Sequence, residues 1–160
     1  MGIVVAIIAF INTAIVRYKV WKFPTILVDD GDYEGITCLQ MIFKYYGKSI
    51  VEPTFLVEGK SNLLGISVMA EELGMDNLAV NISYKQLEKE VQLPVIVHFP
   101  FERLVVVYHI STEKVRLVDP FEGKLTYRRN DFIKKWKIEE DKPTASGIVL
   151  LLEPKPSFNK

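Results

Sequence analysis

The stretch from Phe23 to Gly47, FPTILVDDGDYEGITCLQMIFKYYG, limits the possible folds more than any other part of the chain. It passes from an extended, Pro-marked segment through a turn into an amphipathic helix. Cys38, Met41, Ile42, Tyr45 and Tyr46 recur at the i, i+3, i+4, i+7, i+8 spacing of a helix with one buried face. Gly47 is suited to a left-handed stop. Such a helix needs an apolar surface to lie on.

The rest of the chain supplies one, since its pattern changes from helix to strand. Ile50 to Gly59 reads as a turn with a short helical piece around Phe55. In Gly65 to Gly74, Ile66, Met69, Ala70 and Leu73 fall at helical spacing, which predicts a second helix. Leu78 to Ile82 reads as a short strand, and Ser83 as the N-cap of a helix Tyr84 to Val91. Three β-branched runs, Pro94 to His98, Leu104 to Ile110 and Lys114 to Val118, are predicted strands bounded by turn residues. Gly123 marks a turn, and Leu125 to Tyr127 a further strand. Asn130 is the expected cap of a helix Asp131 to Trp136, and Gly147 to Leu152 is the last apolar strand. With two prolines in EPKPSFNK, residues 155–160 are expected to form a flexible tail.

A length of 160 residues allows one α/β domain, and 49% hydrophobic residues suffice for its core. Twenty basic and twenty acidic residues balance, without a Lys/Arg-rich tract, which excludes the electrostatic footprint of a nucleic-acid binder. The single cysteine excludes an intrachain disulfide and a multi-cysteine zinc site. Met1 to Val16 is sixteen residues without a charged side chain, followed by Arg17, Lys19 and Lys22. With Arg17 and Lys19 snorkelling and Tyr18 and Trp21 at the interface, this run reads as a membrane anchor of about 20 residues, in preference to a cleaved signal peptide or a soluble helix or strand packed on the domain. The basic cluster then faces the domain to the cytoplasm. The expected organisation is a single-pass anchor over 1–22, a domain over 23–154 and the tail.

Phe23-Pro24, Asp30, Gly35, Thr37-Cys38-Leu39, Met41-Ile42 and Lys44-Tyr45-Tyr46-Gly47-Lys48 stand in the register of a known motif. The chain resembles the bacteriocin-processing cysteine peptidase domain, the papain-like module of ABC exporters that cleaves double-glycine leader peptides. The likeness continues through Pro94, Ile96 and His98, Leu104 to Val107, Asp119-Pro120, Gly123, Phe132, Trp136 and Leu150 to Pro154. It implies a papain-like α+β fold with N-terminal helices packed on an antiparallel sheet.

The same register implies that the catalytic letters are missing. Glu34 stands at the nucleophile position, Val28, six residues upstream, at the oxyanion-hole glutamine, and Arg103 at the histidine. Asp119, at the orienting carboxylate, alone is kept. A carboxylate is a poor nucleophile toward an amide, arginine holds its proton with a pKa above about 12, and valine donates nothing to an oxyanion. The family's thiolate and imidazolium carry opposite charges, and Glu34 and Arg103 keep those signs. An ion network of Glu34, Arg103 and Asp119 is therefore expected in place of the catalytic pair.

Cys38, one turn along in the apolar stripe, is expected as a packing residue. His98 and His109 are expected to be structural, being too few and too separated for a metal site. No catalytic residue, metal or cofactor is expected. The resemblance implies a freestanding, inactive docking or adaptor module for a leader peptide, an exported polypeptide or an ABC exporter. Two alternatives stand beside it: a structural subunit of a membrane complex with no peptide ligand, and an active peptidase with a rearranged site.

Overall fold

The computed structural model of the chain describes residues 12, 14–15, 18, 20, 22–29, 33–50, 62–101, 103–138 and 145–158. The element order is α1 (Glu34–Tyr45), α2 (Leu63–Glu72), β1 (Met75–Ser83), α3 (Tyr84–Lys89), β2 (Val95–Phe99), β3 (Arg103–Ile110), β4 (Lys114–Asp119), β5 (Gly123–Arg128), α4 (Arg129–Trp136) and β6 (Ser146–Pro154). The strands make one six-stranded sheet in the order β1-β6-β2-β3-β4-β5. Every pairing is antiparallel.

Helices cover both faces of this sheet, so its central strands are apolar on both sides rather than alternating with polar residues. Ile96, Leu104, Val106, Val118, Leu150 and Leu152 pack with α1 and α2 through Ile36, Leu39, Ile42, Phe43, Ile66 and Met69. Val95, Val97, Val105, Val107, Leu117 and Val149 form the second core with Tyr84, Leu87, Phe132 and Trp136 of α3 and α4. Gly147 belongs to this second layer by necessity. A Cβ there would run into the Trp136 ring, whose Nε1 donates to the Ile148 carbonyl at 3.3 Å.

Local signals account for most element ends. Asn62 caps α2 by accepting from Gly65 N at 2.8 Å, and Ser83 and Gln86 close a capping box on α3. Gly47 and Gly74 take φ of 86° and 95° just past α1 and α2.

Four expectations need correction. The cap of α4 is Arg128, not Asn130, and it makes no side-chain cap bond; the helix starts earlier because Arg129 N is held by Glu113 O at 2.7 Å. The helix α3 stops at Lys89 rather than Val91. The strand β1 runs nine residues, Met75–Ser83, because β6 pairs with it over its whole length. Of the expected tail, residues 155–158 are docked rather than loose: Phe158 is buried against Phe43, with rings 5.2 Å apart, and Lys155 pairs with Glu71. An aromatic side chain that finds an apolar seat outweighs the turn-forming prolines beside it.

The turn expected over Ile50 to Gly59 lies outside the described residues apart from Ile50. The expected anchor over residues 1–22 lies mostly outside them, and Asn12, Ala14, Ile15, Tyr18 and Val20 are helical. Among the described residues no helix is long and apolar enough to cross a membrane.

Candidate functional site

Where the N-terminus of α1 meets the start of β3, three charged side chains converge. Glu34, in the first turn of α1, is 4% exposed. Its Oε1 accepts a hydrogen bond from Leu104 N at 2.7 Å. Tyr33 leaves the helix start without a side-chain cap, and Glu34 places an acidic side chain in the first turn, where the N–H groups lack intrahelical partners.

Arg103 bridges from this carboxylate to Asp119. Its Nη2 donates to Asp119 Oδ2 at 2.6 Å. Its Nε is 3.4 Å from Glu34 Oε1, close enough for an ion pair, yet too poorly aligned for a hydrogen bond. The guanidinium also stacks on Phe121, 4.7 Å from the ring centroid. Asp119 is anchored from the other side by the N–H groups of Phe121 at 2.8 Å and Glu122 at 3.3 Å. Glu34, Arg103 and Asp119 thus form one network closed by three backbone donors.

Burial dominates the electrostatics here. Loss of water pushes the Glu34 carboxyl above its usual range; the Leu104 N–H and Arg103 pull it back only in part, and Asp119 adds to the rise. The thiol of Cys38, one turn further into α1, is fully buried and donates to Leu104 O at 3.5 Å. Burial, then Glu34 and Asp119, push its pKa well up. A protonated thiol sealed in the core is not a nucleophile.

Val28 is half-buried, its N–H donating to Pro120 O at 2.9 Å. His98 pairs in register with Leu104 on the adjacent strand. His109 stands opposite Arg116 beyond a bulge in β3, and burial and Arg116 lower its pKa. Among the described residues no group of acids, His and Cys is arranged to hold a metal ion.

Arg103 and Asp119 also form one wall of an open cleft of 440 Å³. Its other walls come from Phe101 at the β2–β3 turn, Tyr127 of β5, and Lys134, Lys135, Lys137 and Ile138 at the end of α4. Sequence reasoning missed this cleft. Its only trace is the KKWK run, which reads as the solvated end of a helix.

The peptidase C39 family model matches residues 22–157. The lactococcin-G-processing and transport ATP-binding protein of Lactococcus lactis subsp. lactis is 28% identical over 134 residues, covering 78% of this chain. The chain spans 18% of that protein's length. A double glycine motif protease from an AMS/PCAT transporter, solved in complex with the leader peptide, matches with a TM-score of 0.69 at 23% identity, covering 84% of this chain and 93% of its own. The peptidase domain of Streptococcus ComA, a bi-functional ABC transporter, matches at 0.68 and 19% identity, covering 83% and 99%. At such identities the structural likenesses speak for the fold.

Proposed function

The chain belongs to the peptidase C39 family, and on that premise we propose that it is an inactive member that docks a peptide without cutting it. The docked partner is a leader peptide, an exported polypeptide or the ABC exporter that carries one. The apolar run from Met1 to Val16 tethers the domain to the membrane, facing the cytoplasm.

One observation carries the reading. Glu34, at the start of α1 where the family places its nucleophile, is bound by Leu104 N–H and faces the Arg103 guanidinium. That carboxylate is engaged in holding helix to strand. A guanidinium does not take up and release a proton near neutral pH as an imidazole does, and the Arg103 Nη2 is tied to Asp119. Val28 brings no side-chain donor to an oxyanion. The buried, protonated Cys38 does not replace the missing thiolate. An open cleft with exposed apolar side chains beside these positions supports docking over a purely structural subunit.

Incubating the purified full chain with a fluorescent double-glycine leader peptide tests both halves of the proposal. Anisotropy reports binding and mass spectrometry reports cleavage. Binding of the intact peptide is the expected result. Cleavage would overturn inactivity, whereas absence of binding would overturn docking and favour a structural subunit of a membrane complex.

A further inference from the structure

We propose that the cleft beside Arg103 takes an acidic peptide segment, with carboxylates on Lys134, Lys135 and Lys137 and apolar side chains on Phe101 and Ile138. This deepens the docking reading, resting on it for the kind of ligand, a peptide, and adding the charge class.

Charge is the first argument. The chain is neutral overall, yet three lysines crowd the end of α4 on one wall of this cleft. Among the described residues no ion pair answers any of the three, whereas Lys89, Arg103, Arg129 and Lys155 are each paired. The acids in the same cleft do not neutralise them. Asp119 is engaged by Arg103 and two backbone N–H groups, which leaves Glu122 alone. The ammonium of Lys135 lies 5.6 Å from the Tyr127 ring centroid. The partial negative charge at the end of α4 accounts for lysines in its last turn, but it explains neither their meeting in a concave wall nor the exposed Phe101 side chain that lines the same cleft.

That side chain is the second argument. Phe101 is 97% exposed and takes a φ of 69°, a backbone conformation that bulky residues avoid. Strain of this kind without burial is characteristic of a binding position. Ile138, which also lines the cleft, is 45% exposed. Apolar steps beside cations fit a ligand alternating carboxylates with apolar side chains. The concavity favours a peptide over an anionic membrane, which would meet a flat or protruding surface.

The test uses the full chain. A fluorescent synthetic peptide of alternating Glu and Leu is titrated against its Gln-and-Leu counterpart. The acidic peptide is expected to bind about tenfold more tightly, with the advantage shrinking as salt is raised. The combined Lys134→Gln, Lys135→Gln, Lys137→Gln variant is expected to lose about tenfold in affinity, and Phe101→Ser about threefold. Equal binding of the two peptides would overturn the proposal, as would an unaffected triple variant. So would a triple variant that loses phosphatidylserine-vesicle binding but keeps the acidic peptide. A double-glycine leader that binds the triple variant normally would sink the acidic specificity and leave docking standing. Acidic-peptide binding without leader binding would do the reverse.

Discussion

Two clusters of charge meet at one cleft, and they are built on opposite terms. At Glu34, Arg103 and Asp119 every charge is answered inside the chain, by another side chain or by the N–H groups of Leu104, Phe121 and Glu122. A few residues away Lys134, Lys135 and Lys137 line an open cleft without an ion pair among the described residues. The first cluster keeps the sign pattern of a catalytic pair while its groups hold α1 against β3. Among the described residues the second touches the fold only through the Lys135 ammonium, 5.6 Å from the Tyr127 ring centroid. A closed network points to stability, and an open one of single sign points outward.

The largest effect should come from opening the closed cluster. In Arg103→Leu, Glu34 and Asp119 face each other with no cation between them, both with side chains under a tenth exposed. Removing one partner of a fully buried pair costs about 3–5 kcal/mol. The Arg103 side chain is 40% exposed, so water already screens part of the interaction, and about 2 kcal/mol is expected. For a chain of this size that lowers Tm by roughly 4–8 °C. The loss should grow from acid toward neutral pH, since protonation relieves a stranded carboxylate. An unchanged Tm would mean that the network is ornament and the two clusters do not differ.

How far these clusters were legible in the sequence differs for the same reason. The helix α1 follows from its stripe, and the positions of Glu34, Arg103 and Asp119 from the motif letters around them. Their meeting was expected from retained charge signs alone. What closes the network could not be read, because Leu104 N and the Phe121 ring are supplied by strand and turn geometry rather than by any pattern in the letters. Sheet pairing likewise extended β1 back through Asp76 and Asn77, residues that individually disfavour strands. Phe158 looked like part of a loose tail because its seat, beside Gly74 and Phe43, is created by distant elements. The lysines of the cleft were hidden by their resemblance to an ordinary helix end.

A smaller effect sharpens what the closed cluster does. Burial raises the folded pKa of Glu34 above the 4.5 of a free glutamate. The folded state therefore binds this proton more tightly than the unfolded chain. Stability from this group is fully present below about pH 4.5 and is lost as pH rises through the folded value. Glu34→Gln keeps the shape and an oxygen for Leu104 N–H but cannot titrate. Its stability relative to the parent should rise as pH is taken from 4 toward 7, as read by thermal melts across that range. The opposite slope would show that the Leu104 and Arg103 contacts outweigh desolvation, and that Glu34 is held as a stabilised anion.

The smallest effect belongs to the open cluster, and its smallness is what distinguishes the two. Lys134 and Lys135 lie in the last turn of α4 and Lys137 just past it. There a cation gains about 0.3–1 kcal/mol from the helix dipole, toward the low end when it is exposed. Glutamine is nearly as good a helix former, so neutralising all three should cost about 1 kcal/mol at most. Chemical denaturation should place the triple variant close to the parent and clearly above Arg103→Leu. A loss as large as that of Arg103→Leu would show that the lysines hold α4 in place, which would make both clusters structural and leave the cleft without an outward role. A near-parental midpoint would show that the fold does not need those three lysines, which leaves the cleft they line free for an outward role.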